Sequence, residues 1–156
     1  MMVRRAVHED EPRILDLLYQ VNGVHQKGRP DIFKRDTRKY TKEQLSQLID
    51  DETRPIFVAV EENGYVCGYG FCVIIDTSSS NLLMPMKELY IDDLCVDENY
   101  RRKHIGKTIY DYLIQYAKDL GCYHLTLNVW ACNPSAMAFY EKQGMKMLKK
   151  EMEVIL

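Results

Sequence analysis

Leu89-Tyr90-Ile91-Asp92-Asp93-Leu94-Cys95-Val96 is a β-prone run that leads, through Asp97-Glu98, into Asn99-Tyr100-Arg101-Arg102-Lys103-His104-Ile105-Gly106-Lys107. Beyond it Ile109, Tyr112, Leu113, Tyr116, Ala117 and Leu120 recur three and four apart, the spacing of an amphipathic helix, and Gly121 supplies its stop. Strand, cationic turn and helix in that order make an anion cradle. The first N–H groups of a helix lack intrahelical acceptors, its dipole is positive at that end, and Arg101, Arg102, Lys103 and Lys107 add charge. Gly106 admits close approach to the backbone. Gly106-Lys107-Thr108 ends like a P-loop, but the Gly-x-x-x-x-Gly-Lys-[Ser/Thr] spacing is absent. A lone glycine also cannot supply the three-glycine dinucleotide pattern.

Upstream, Val3 to Val7 reads as a short strand, followed by helix-start chemistry at His8-Glu9-Asp10-Glu11-Pro12. Ile14, Leu17, Leu18 and Val21 give that helix one apolar stripe, and Asn22-Gly23 predicts its end. His25 to Tyr40 is irregular and basic; Thr41-x-x-Gln44 is a capping box opening a second helix through Leu45, Leu48 and Ile49. Ile56 to Val60 and Tyr65 to Ile75 read as strands joined by an Asn63-Gly64 hairpin turn. Asp76 to Asn81 is a surface loop before the strand Lys87 to Val96. Downstream, His124 to Val129 alternates as a strand, and Ser135 to Gln143 forms a short helix closed by Gly144. Met145 to Ile155 is expected as a terminal strand with Leu148, Met152 and Val154 on one face. The order β-α-α-β-β-β-α-β-α-β specifies an α/β (α+β) fold, a mixed sheet with helices on its faces.

Length sets the remaining bounds. At 156 residues, 46% hydrophobic and 28% charged, the chain is expected to form a single domain over 1–156. The net charge of −2 gives no global field to hold nucleic acid or an anionic membrane, so any anion must be bound locally. Cys67, Cys72, Cys95, Cys122 and Cys132 are an odd set without zinc-type spacing, which predicts reduced thiols, a cytoplasmic location and no metal. The charged start, with Arg4, Arg5, His8 and Glu9, is unlike an export signal, and no apolar run approaches a membrane span.

Three segments together resemble the GCN5-related N-acetyltransferase (GNAT) family, over nearly the whole chain. Arg101-Arg102-Lys103-His104-Ile105-Gly106 is similar to the family's [Arg/Gln]-x-x-Gly-x-[Gly/Ala] loop, with His104 standing where glycine is usual. Leu89 to Val96 is similar to the strand whose end pairs with the pantetheine arm. Asn133-Pro134-Ser135-Ala136-Met137-Ala138-Phe139-Tyr140-Glu141-Lys142-Gln143-Gly144-Met145 is similar to Asn-x-x-Ala-x-x-[Phe/Tyr]-Tyr-x-x-x-Gly-[Phe], the most specific of the three. The resemblance implies a mostly antiparallel central sheet with flanking helices, and acetyl-CoA as co-substrate without a metal. It assigns Leu94, Cys95, Val96, Arg101, Arg102, Lys103, His104, Ile105, Gly106, Lys107 and Asn133 to that co-substrate. Asn133 also has the composition of a helix N-cap before Pro134, and the two uses are compatible.

Acetylating an alkylamine requires that its ammonium, with a reference pKa of about 10.4, first lose a proton. Asp92 and Asp93 are the paired carboxylates on the strand; alternation sends them to opposite faces unless a bulge intervenes, so at most one is expected to face substrate. The resemblance favours Asp92 as base, through water, and Tyr140 as the acid that returns a proton to the CoA thiolate. Cys95 has no histidine beside it, and the family route is direct attack in a ternary complex. His25, Pro30, Asp31 and Phe33 resemble the variable acceptor segment, while Tyr19, Tyr69, Tyr90 and Trp130 could line an acceptor pocket but are better explained one by one as aromatic packing. The implied function is acetyl transfer to a primary amine of a small molecule. The alternatives are a protein N-terminal or lysine acetyltransferase and a non-catalytic CoA-binding module, and a homodimer through sheet edges or helices is left open.

Overall fold

The computed structural model describes residues 1–156. Five strands, β1 (Met2–Arg5), β2 (Ile56–Val60), β3 (Val66–Asp76), β4 (Lys87–Val96) and β5 (His124–Leu127), form one sheet in the order β1-β2-β3-β4-β5. Neighbours are antiparallel from β1 to β4; β5 then runs parallel to β4. Helix α1 (Glu11–Gly28) and α2 (Lys42–Ile49) cover one face, and α3 (Ile105–Asp119) covers the other, while α4 (Pro134–Lys142) follows β5.

The alternation of β2 and β3 builds two cores. Ile56, Val58, Val60, Tyr69 and Phe71 pack with Ile14, Leu17 and Leu18 of α1. Phe57, Ala59, Cys67 and Cys72 pack on the opposite side with Ile109 and Leu113 of α3. Gly70 matters here, since a side chain there would meet Leu113 Cδ1 at 3.0 Å, so the glycine sets how closely α3 lies on β3. The capping box forms as the spacing predicts: Gln44 N–H donates to Thr41 Oγ1 at 3.2 Å and Thr41 N–H to Gln44 Oε1 at 2.9 Å.

Two expectations are corrected. Helix α1 does not stop at Asn22-Gly23 but continues to Gly28, because nothing crowds Gly23 and Asn22 uses its amide to donate to Lys34 O at 3.0 Å, outside the helix. Local stop chemistry gives way to the contact with the following loop. Residues 145–156 form no strand. Their apolar alternation is broken by Lys149-Lys150-Glu151, Met147, Leu148, Met152 and Val154 are exposed, and the tail is held at Glu153 by an ion pair with Arg29 rather than by a ladder to β5. No helix is long and apolar enough to cross a membrane.

Candidate active site

Strand β4 builds the site because its two sides have different partners. It is paired to β3 from Lys87 to Val96, but to β5 only at Glu88–Ile91, opposite His124–Leu127. From Asp92 onward the backbone on the β5 side faces no strand, leaving an edge that an extended ligand can join.

At the end of that edge opens a cleft of about 520 Å³. Val96 of β4, Arg101, Arg102 and His104 of the turn, and Ile105, Gly106 and Lys107 of the first turn of α3 line one side. Phe139, Lys142 and Gln143 line the other, and Lys142 is a cation that the sequence reading missed although it lies within the Asn133–Met145 motif. The first amide of the α3 region to find a backbone acceptor is Thr108 N–H, which donates to His104 O at 2.9 Å, so the amides of Ile105 to Lys107 remain for a ligand. Arg102 and His104 both adopt left-handed backbone, at φ 64° and 60°. His104 thus occupies the conformation that glycine takes freely, which explains why it departs from the family pattern without unmaking the turn. A side chain at Gly106 would enter the cleft, its Cβ meeting Phe139 at 3.5 Å and Val96 at 3.6 Å. Two cations are partly occupied: Lys107 Nζ lies 2.5 Å from Asp111, and the Lys103 ammonium sits 4.5 Å over the Tyr100 ring instead of lining the cleft. An open strand edge continuous with free amides and cations fits the pantetheine and pyrophosphate parts of acetyl-CoA.

The other end of the open edge is acidic. The β3–β4 register places Phe71 opposite Asp93 and Cys72 opposite Ile91, so Asp92 is the extra residue of a β-bulge. This is the bulge allowed for as the exception to strict alternation, and it sets the two carboxylates on the same face of the sheet instead of opposite faces. Asp93 reaches Tyr69, whose hydroxyl donates to Oδ2 at 2.9 Å, and Asp92 reaches Tyr40, whose hydroxyl donates at 2.9 Å; Tyr69 and Tyr40 both belong to the α1 side of the sheet. Lys39 Nζ donates to Asp92 Oδ2 at 2.8 Å. Burial lifts the Asp93 carboxyl to about 6, against the opposing bond from Tyr69. Tyr140 packs against Phe139, with ring centroids 5.0 Å apart, and burial followed by the charge of Asp93 raises its hydroxyl well above the ordinary tyrosine range. It therefore stays protonated across neutral pH.

The remaining sequence-named residues take quieter positions. Cys95 is buried, its thiol 3.7 Å from Leu17 O and pushed by burial to about 12, which disarms it as a nucleophile. Asn133 caps α4, accepting from Ala136 N–H at 3.2 Å. Leu94 is half-buried on the α3 side, next to the open edge. Tyr69 is wholly buried, whereas Trp130 stands edge-on to Phe33 at 5.0 Å, and Phe33 stacks on His25 at 5.0 Å. Lys39 and Tyr40 were not readable as site residues, since Asp92 lies far along the chain from them, whereas Tyr69, named from the sequence only as an aromatic, meets Asp93 diagonally across the β3–β4 ladder.

No group of three or more His, Cys, Asp or Glu side chains is arranged to hold a metal ion. The sequence model of the family described as Acetyltransferase (GNAT) family matches residues 20–145. Glucosamine 6-phosphate N-acetyltransferase of Arabidopsis thaliana is 38% identical over 56 residues, a match spanning 36% of this chain and 36% of that protein, about a third of its length. Among solved structures, a mutant of the BH1408 protein from Bacillus halodurans superposes with a TM-score of 0.94 and 31% identity, covering 100% of this chain and 99% of that one. An aminoglycoside acetyltransferase from an uncultured soil metagenomic sample, in complex with sisomicin, shares the fold at a TM-score of 0.75 and 20% identity, covering 99% and 95%.

Proposed function

Because the chain belongs to the acetyltransferase (GNAT) family, we propose that it moves an acetyl group from acetyl-CoA to the primary amine of a small molecule. The observation that carries this reading is the second half of β4: Val96 lines the cationic cleft at the start of α3, the β5 side is unpaired from Asp92 to Val96, and the bulge sets Asp92 and Asp93 at the other end. Arg101, Arg102, Lys142 and the amides of Ile105 to Lys107 bind the pyrophosphate. Leu94, Cys95 and Val96 offer backbone groups to the pantetheine arm as a neighbouring strand would. The thioester supplies the activated acetyl group.

Asp92 takes the proton of the acceptor ammonium through water, and Tyr140 gives one to the departing sulfur. Attack is direct, since the thiols of Cys95 and Cys72, on the strands that carry the site, are both buried and held protonated by that burial. A small-molecule acceptor is supported by the likeness to a glucosamine 6-phosphate N-acetyltransferase and to an aminoglycoside acetyltransferase.

Calorimetric titration with acetyl-CoA tests the donor site. Saturable binding is expected, weakened at least tenfold both by Arg102→Ala and by Gly106→Glu, which puts bulk and negative charge between Phe139 and Val96. Release of CoA with members of an amine panel then tests transfer. Absence of binding at millimolar acetyl-CoA would overturn the reading.

A further inference from the structure

The acceptor end of the groove already holds a primary amine. Lys39 Nζ stands 2.8 Å from Asp92 Oδ2 and 3.5 Å from the Asp92 carbonyl, at the bulge where the β5 side of β4 opens. The face of Tyr40 lies 5.6 Å away, so the ammonium is received by a carboxylate, a carbonyl and an aromatic ring, the kind of set that binds an alkylammonium ligand. The lysine comes from the irregular segment between α1 and α2, and its side chain is 42% exposed. Lys107 is the other lysine with a carboxylate partner, but Asp111 holds it on α3 at the anion-binding end. Lys39 alone combines a proton acceptor with a place beside the open edge.

We propose that Lys39 is acetylated by its own chain, in the position an external amine must take from it. This rests on the acetyl-transfer reading above. The ammonium of Lys39 gives one proton to Asp92, and the freed Nζ lone pair attacks the thioester carbonyl carbon. The N–C bond forms, the C–S bond breaks, and its electron pair leaves on sulfur, which takes a proton from Tyr140. The second amine proton leaves as the amide forms and restores Tyr140, so that one acetyl-CoA and one lysine ammonium give one acetyl-lysine, one CoA thiol and one proton to solvent. The product is neutral and cannot pair with Asp92, so the event also removes the internal competitor for that carboxylate.

The test is incubation of the full chain with acetyl-CoA and no added amine, followed by intact-mass measurement and peptide mapping over time. One acetyl group on Lys39 is expected, appearing at a rate independent of protein concentration, at least tenfold faster than on the exposed Lys149 and Lys150, and slowed at least tenfold by Asp92→Asn. An added small amine that is itself acetylated should slow the reaction at Lys39. The proposal is overturned if acetyl-CoA binds and an external amine is acetylated while Lys39 stays unmodified, or is modified no faster than Lys149. A rate that rises with protein concentration overturns it equally, since transfer would then be between molecules. Failure of acetyl-CoA to bind at all marks instead the failure of the donor-site reading.

Discussion

Within β4, Glu88–Ile91 lie between β3 and β5, with Leu89 and Ile91 buried against α3, whereas Asp92–Val96 keep β3 on one side and a groove on the other. The first half alternates strictly and its side chains are committed to packing. The second begins with an extra residue, and that one insertion holds Asp93 on the α1 side beside Asp92, where strict alternation after Leu89 and Ile91 would send it toward α3; β5 itself ends at Leu127, opposite Ile91. A single register shift converts core into site, because a bulge re-aims side chains while the flanking ladder keeps its hydrogen bonds.

Truncation gives the largest separation of the two halves. Leu89 is fully buried, so Leu89→Ala removes packed methyl groups and leaves a cavity, an expected loss of about 2–5 kcal/mol. Leu94, half-buried beside the groove, should lose only about 1 kcal/mol on the same change, because water can replace part of what is removed. Urea unfolding of both variants measures this. Equal losses would mean that the open half is packed as firmly as the closed one.

The comparison also shows what could be read in the residues and what could not. The hairpin at Asn63-Gly64, the capping box at Thr41 and the cationic turn before α3 are local, and each forms where its few residues specify it. The bulge depends on the register between β3 and β4, which is fixed by the whole sheet, so the composition of Leu89 to Val96 gives no sign of it. For the same reason Asp92 was legible as a carboxylate on the right strand, but its partners Lys39 and Tyr40 were not. The terminal strand failed in the opposite direction, since apolar residues in 145–156 suggested pairing that the interleaved charges and the short β5 do not support.

Asp93 sharpens the contrast through pH. Its folded pKa of about 6 lies above the ordinary carboxyl value of about 3.9, because burial disfavours the anion. Between those values the unfolded chain has released the proton that the folded chain still holds, so stability falls as pH rises from about 4 to about 6 and levels off above. Two units correspond to about 2–3 kcal/mol at full effect. Asp93→Asn keeps an acceptor for Tyr69 and removes the titration, so its stability should stay flat in that window relative to the parent chain. Denaturant midpoints at pH 4.5 and pH 7 measure the difference, and parallel changes in both proteins would show that Asp93 titrates like an exposed carboxylate.

His104 provides the smallest test, at the far end of the open half. A non-glycine residue in left-handed backbone carries a strain of about 1–2 kcal/mol, which glycine would relieve. Glycine also adds freedom to the unfolded chain, an opposing term of about 0.5–1 kcal/mol, so His104→Gly should change stability by about 0–1.5 kcal/mol, in the stabilising direction. The imidazole has no capping hydrogen bond to lose. Acetyl-CoA affinity should change by less than about threefold, because the amides of Ile105 to Lys107 and the cations of Arg101, Arg102 and Lys142 are untouched. A large drop in affinity would place the imidazole itself against the bound phosphates, and a large drop in stability would show that the side chain, rather than the backbone conformation, holds the turn.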